Sequence, residues 1–296
     1  MEQIAHEIKS VMLVYFSGTG GVKRIAETFR FNLSNRGITV IENNLDLSIV
    51  NCNRYSNMSV DQIILIFPVH AFDAPDPIYR WIENTGITGD RIAVISVSGG
   101  GEVWPNTGCR NNCCRALEQK GLTVSYERMM CMPSNWVFNI NDHMAMWLLR
   151  IIPDKVNNIL DELLCGKVRR TKYKKGPFRK LITKLEKQNT AKFAKELAID
   201  DNCTGCGLCA AHCPVDNIEL RVKKPVFKEN CIMCYRCIYN CPSHALKSKS
   251  FMVLKNGYNL TAVERRMKGI ELEQVEKCCK GLMWKPVRKY LLKIEK

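Results

Sequence analysis

The chain writes one four-cysteine phrase twice. Cys203, Cys206, Cys209 and Cys213, followed by Pro214, read C-x2-C-x2-C-x3-C-P, and Cys231, Cys234, Cys237 and Cys241, followed by Pro242, repeat the phrase 28 residues later. Thiolates spaced two residues apart can wrap a tight loop around one face of a polynuclear metal centre. A proline after the fourth cysteine turns the chain away and removes an N–H donor. A zinc site would use two C-x2-C pairs with a long gap between them, not two runs of four.

The chain has 16 cysteines in 296 residues. In a reducing cytoplasm such thiols need a reason other than disulfides. The start, "MEQIAHEIKS", lacks the apolar stretch of a secretory leader. The run "MAMWLLRII" is too short for a bilayer, which needs about 20 apolar residues. The expectation is a cytoplasmic protein without a transmembrane segment, from an anaerobic host that tolerates free thiols.

The duplicated phrase resembles that of bacterial two-[4Fe–4S] ferredoxins over roughly residues 198–250. The fourth cysteine of each run does not easily reach its own cubane, so it ligates the other one. One cluster is thereby assigned to Cys203, Cys206, Cys209 and Cys241, and the second to Cys231, Cys234, Cys237 and Cys213. Gly205 and Gly207 leave room for backbone N–H groups near the first cluster. The second loop carries Met233, Tyr235 and Arg236 instead, so the two potentials are expected to differ.

The opening of the chain has a different character. "SVMLVYF" (10–16) is a continuous apolar run, as in a strand buried on both faces of a parallel sheet. "SGTGG" (17–21) and a helical stretch (22–37) follow. Strand, small-residue loop and helix start together make an anion site. Neither GK[ST] nor G-x-G-x-x-G is present. The loop Ser17, Gly18, Thr19, Gly20, Gly21, Val22 resembles the flavodoxin phosphate loop, with Val22 in place of its last threonine. "DQIILIF" (61–67) and "RIAVISVS" (91–98) read as further buried strands.

That resemblance implies a flavodoxin-like, doubly wound parallel α/β sheet of five strands, order 2-1-3-4-5, with FMN beyond the strand ends. Loop 17–22 would hold the phosphate. Pro68, Val69, His70, Ala71 and Phe72 would flank the ring on one side. Ser98, Gly99, Gly100, Gly101, Trp104, Asn106 and Thr107 would flank the other, with His70, Phe72 and Trp104 as stacking groups. A strand near 121–133 and a helix around 142–164 would complete the unit.

Expected boundaries are 1–165 for this domain, 166–197 for a basic helical linker, 198–250 for a small α+β ferredoxin-like domain, and 251–296 for a helical extension without an assigned task. The linker stretch 166–195 carries twelve Lys or Arg and one acid, Glu186. It reads as a solvated connector that balances cofactor charge. No recognition-helix or RNP-type signature points to nucleic acid. The remaining thiols, Cys52, Cys109, Cys113, Cys114, Cys131, Cys165, Cys278 and Cys279, read as tolerated free cysteines. Cys109 and Cys113 would share a helix face.

The order of parts resembles the flavodoxin–ferredoxin fusion proteins of anaerobic bacteria and archaea. "GGGEVWPNTGCR" and "MMCMPSNW" share their look. The resemblance implies electron transfer through FMN and two [4Fe–4S] clusters. With a formal charge of +15, partly offset by roughly −6 from the cofactors, acidic redox proteins are the expected partners. No nucleophile or general base stands out, so no catalytic residue is named. An FMN-dependent reductase of a quinone, nitro compound or enoate is the alternative, and a basic redox-sensing module is a third.

Overall fold

The computed structural model describes residues 7–46, 59–87, 90–137, 139–173, 190 and 192–293. Cys52 and most of the basic linker lie outside them.

Five strands form one parallel sheet: β1 (Ser10–Tyr15), β2 (Thr39–Asn44), β3 (Gln62–Pro68), β4 (Arg91–Ser98) and β5 (Thr123–Cys131), in the order β2-β1-β3-β4-β5. This is the expected doubly wound topology. The apolar runs of β1, β3 and β4 are buried on both faces because helices cover both. Alternate residues point opposite ways. Val11, Leu13 and Tyr15 pack under α1 (Gly21–Asn35) and α4 (Ile152–Leu164), while Met12, Val14 and Phe16 pack under α2 (Asp76–Asn84) and α3 (Cys109–Gln119). On α1, Val22, Ile25, Ala26, Phe29 and Leu33 make the apolar stripe that seats the helix. Cys109, Cys113 and Cys114 fill the α3 side of the core as small hydrophobes. Burial pushes the Cys109 thiol up to about 12.

The start of the linker departs from the helical expectation. Arg169 pairs in parallel with Tyr126 at the edge of β5, with the Glu127 N–H donating to the Arg169 carbonyl at 2.7 Å. A buried charge explains why. Glu127 is fully buried, accepts from Arg170 Nε at 2.8 Å and from the Tyr173 hydroxyl, and faces buried Arg110 at 3.4 Å. Arg110 also donates to Ser96, Glu102 and Thr171. These basic residues fasten the chain to the sheet edge. Glu127→Gln keeps the shape but removes the charge, and is expected to cost about 2 kcal/mol. An apparent unfolding midpoint unchanged from wild type would count against this clamp.

The small domain holds an antiparallel pair of short strands, Ala198–Ile199 with Leu246–Lys247, and a hairpin, Ile218–Arg221 with Lys224–Phe227. The 28-residue repeat is visible in its backbone. Left-handed residues recur at Gly205 and Met233, Gly207 and Tyr235, and Asp216 and His244. The hairpin turns through Val222 and Lys223 (φ 47° and 59°), each at about 1–2 kcal/mol because neither is glycine.

Beyond residue 250 the chain folds back onto the α/β domain. Val275, Cys278, Cys279, Val287 and Leu291 share a core with Cys131, Met144 and Leu148. Arg24 pairs with Glu264, and Arg266 with Asp142 in two hydrogen bonds of 2.7 and 2.8 Å. Among the described residues no helix is long and apolar enough to cross a membrane.

Candidate functional site

The loop after β1 opens the site. Gly20, at φ 92°, precedes α1 and has no side chain with which to cap the helix. Its N-terminal N–H groups and dipole therefore favour an anion at the loop. Ser17 Oγ accepts from the Lys23 N–H at 3.1 Å, and Asn135 donates to Thr19 Oγ1 at 2.9 Å, which fixes the loop.

Above it lies a cavity of about 270 Å³. Of the residues named from the sequence, Ser17, Gly18, Thr19, Gly21, Val22, Pro68, Val69, His70, Ala71, Phe72, Ser98, Gly99, Gly100 and Asn106 line it. Gly20, Gly101, Trp104 and Thr107 do not. Gly101 instead meets the C-terminal segment, where a Cβ would stand 3.0 Å from Pro286. Trp104 is 55% exposed and does not supply the stacking surface. The walls expected of Trp104 come from Trp136, Tyr235, Tyr258 and Trp284. Tyr258 and Trp284 belong to the extension that carried no task in the sequence.

Close approach explains two glycines here. A Cβ on Gly99 would stand 2.8 Å from Ser134 Cβ. Opposite, the two-residue turn between His70 and Asp73 puts Ala71 and Phe72 at φ 49° and 56°. Turns of this kind favour Asn and Gly, so the loop carries strain at the cavity wall. Burial draws the His70 imidazole down to about 4, so it faces the cavity neutral at pH 7. A phosphate at the helix start, beside the Gly21 and Val22 N–H groups, and a planar ring between the aromatic walls fit this donor set.

The eight cysteines of the two phrases lie close together, and Cys237 reaches the cavity that the first phrase lines. Cys203, Cys206, Cys209 and Cys241 line a second cavity of about 280 Å³. Cys213 lies near the second phrase: burial raises Cys231, Cys234 and Cys237, the Met233 and Arg236 N–H groups oppose it at the first two, and neighbouring thiols, Cys213 at all three and Cys209 at Cys237, add to the rise. Backbone N–H groups are aimed at the sulfurs in matching places. Asn217 donates to Cys213 Sγ at 3.2 Å, and Ala245 to Cys241 Sγ at 3.4 Å. Burial opposes it, but hydrogen bonds from Ser243, Ala245 and Leu246 bring Cys241 below an ordinary thiol. Such donors suit thiolates that ligate a cluster. Among the described residues no three metal-ligating side chains converge on a single-ion point.

Residues 195–280 match the 4Fe-4S dicluster domain. The chain therefore joins a flavodoxin-like domain to a 4Fe-4S dicluster domain. The matched range runs 30 residues past the expected boundary at 250. No curated protein matches the sequence. Among solved structures, the Fusobacterium nucleatum flavodoxin bound to flavin mononucleotide is similar at 16% identity and a TM-score of 0.36, covering 52% of this chain and 99% of that one. The two-electron reduced Megasphaera elsdenii flavodoxin is similar at 18% and 0.35, covering 50% and 98%. The azoreductase AzrA is similar at 12% and 0.39, covering 52% and 99%. The fold assignment rests on the strand order, not on these likenesses.

The dicluster domain touches the flavin-type loop directly. A Cβ on Gly18 would stand 2.8 Å from the Cys234 carbonyl oxygen. Ile232, Met233 and Tyr235 line the first cavity. The left-handed strain of Met233 and Tyr235, where the first phrase has glycines, turns their side chains to that use. Arg236 is the residue that sequence reasoning missed. It donates to the carbonyls of Ser17, Gly18 (3.2 Å), Asp46 (3.1 Å) and His212 (3.1 Å), and pairs with the Asp46 carboxylate at 2.9 Å. Asp46 also accepts from the Ser17 N–H at 2.7 Å. Arg236 thus cancels a negative charge directly behind the anion loop.

Gly18→Ala tests this seam. Gly18 is outside the left-handed region, so alanine is tolerated by its backbone, and only the contact with Cys234 is disturbed. The substitution is expected to cost about 1–3 kcal/mol and to weaken FMN binding. An unchanged FMN dissociation constant would speak against the contact.

Proposed function

We propose that the chain relays electrons between two [4Fe–4S] clusters and FMN, and on to a redox protein. The observation that carries this reading is the van der Waals seam between Gly18 and Cys234, which puts a cluster ligand against the phosphate loop. Cys213, Cys231, Cys234 and Cys237 would hold the cluster proximal to the flavin. Cys203, Cys206, Cys209 and Cys241 would hold the distal one. Loop 17–22 would take the FMN phosphate, and residues 68–72, 98–100 and Asn106 would flank the ring. When bound, the clusters supply one-electron transfer and the flavin links it to two-electron chemistry.

The chain's own groups set the conditions. Backbone N–H donors stabilise the thiolates. Met233 and Tyr235 form a shared wall between the two sites, and Arg236 fixes their spacing. Joining the centres in one polypeptide replaces a diffusive encounter with a tethered one.

Anaerobic purification followed by iron, sulfide and flavin counts tests the reading. About eight irons and one FMN per chain are expected. Zinc in place of iron, or a spectrum without flavin bands, would overturn it.

A further inference from the structure

The distal cysteine set reaches the surface. Cys206 is exposed, whereas the other seven cysteines of the two phrases are partly covered. The loop that carries it leans on the hairpin tip: a Cβ on Gly205 would meet the Lys223 carbonyl oxygen at 2.6 Å. At that tip Val222 is 97% exposed, in the left-handed region at φ 47°. Asn or Gly would make this turn without strain and without exposing an isopropyl group. Val222 adds nothing to a core, so its place calls for contact with something outside the chain. Leu208 and Leu220, both partly exposed at the rim of the distal cavity, continue the apolar surface. Arg221, Lys223 and Lys224 surround it with positive charge, while Glu219 is paired with Arg221 and Lys228.

We infer that this hairpin tip is the docking contact for an acidic one-electron carrier protein. The inference rests on the electron-relay reading and names the end at which the partner binds. An apolar centre inside a charged rim is the anatomy of a protein interface. Binding to a phosphate backbone would make no use of an exposed valine. Charge opposite to Arg221, Lys223 and Lys224 steers the encounter, and Val222 and Leu220 hold it.

The test is calorimetric binding of an acidic bacterial two-[4Fe–4S] ferredoxin, both proteins oxidised and the chain carrying its full iron and flavin complement. Val222→Asn is expected to weaken binding about tenfold while the unfolding midpoint stays level or rises, because asparagine suits the turn. Lys223→Glu with Lys224→Glu is expected to weaken it at least tenfold at low ionic strength and to remove most of its salt dependence. Leu282→Ser, on the exposed segment beside the flavin-side cavity, should leave affinity unchanged. The inference falls if the complete wild-type chain does not bind, if the hairpin variants bind as wild type does, or if Leu282→Ser is the change that weakens binding. Iron and flavin counts on the same samples separate the two levels: incomplete cofactors in the wild-type chain would sink the relay reading, whereas a complete chain that fails to bind sinks only the docking site.

Discussion

Replacing Cys213 by alanine is expected to remove the same four irons as Cys234→Ala and to spare the four that Cys206→Ala removes. Cys213 belongs by sequence to the first phrase. In space it stands with Cys231, Cys234 and Cys237, close enough to raise their thiols. Each single variant should therefore hold about four irons instead of about eight after anaerobic reconstitution. Double variants decide the matter. Cys213→Ala with Cys234→Ala should still hold about four irons, whereas Cys213→Ala with Cys206→Ala should hold almost none. The opposite pattern would mean that each phrase serves its own cluster.

Arg236→Met carries the second large effect. The guanidinium is nearly buried and serves four carbonyls and one carboxylate. Its removal leaves the partly buried Asp46 carboxylate without its cation, a change that costs about 3–5 kcal/mol for a fully buried pair and less here. It also leaves that charge behind the anion loop, so FMN affinity is expected to drop at least tenfold, the equivalent of about 1.4 kcal/mol. Lysine should not rescue it, since a single ammonium cannot reach these acceptors together. Adding Asp46→Asn should recover part of both losses, because the orphaned charge is then gone. Equal losses in the single and double variants would show that Asp46 is not the reason.

Much of this was legible in the sequence because its signals are local. Apolar runs at 10–16, 61–67 and 91–98 declared buried strands, while the strand order came from the resemblance of loop 17–22 to the flavodoxin phosphate loop. Cysteine spacing declared the two phrases, since ligation of one centre within a loop is a short-range constraint. Elements that depend on distant partners were not legible. Arg236 reads as one more basic residue until the fold brings Ser17 and Asp46 to it. Trp104 sits in a loop of the expected kind, yet the backbone turns it outward, and Trp284 takes the wall from far along the chain. Arg169 and Arg170 look like solvated linker charges, and their role depends on Glu127, a buried acid whose strand gives no sign of it. The left-handed residues Met233 and Tyr235 look unfavourable on propensity alone. They make sense only as the wall of a site built by another domain.

The walls contributed by Tyr258, Met283 and Trp284 have a consequence for biosynthesis. A ribosome delivers the phosphate-type loop well before these residues. The nascent sheet can form its anion cradle well before the enclosure around it exists. On the relay reading, stable flavin loading would wait until these residues, and the cysteine-bearing domain that precedes them, have emerged and docked, which sets an order for maturation of the two halves.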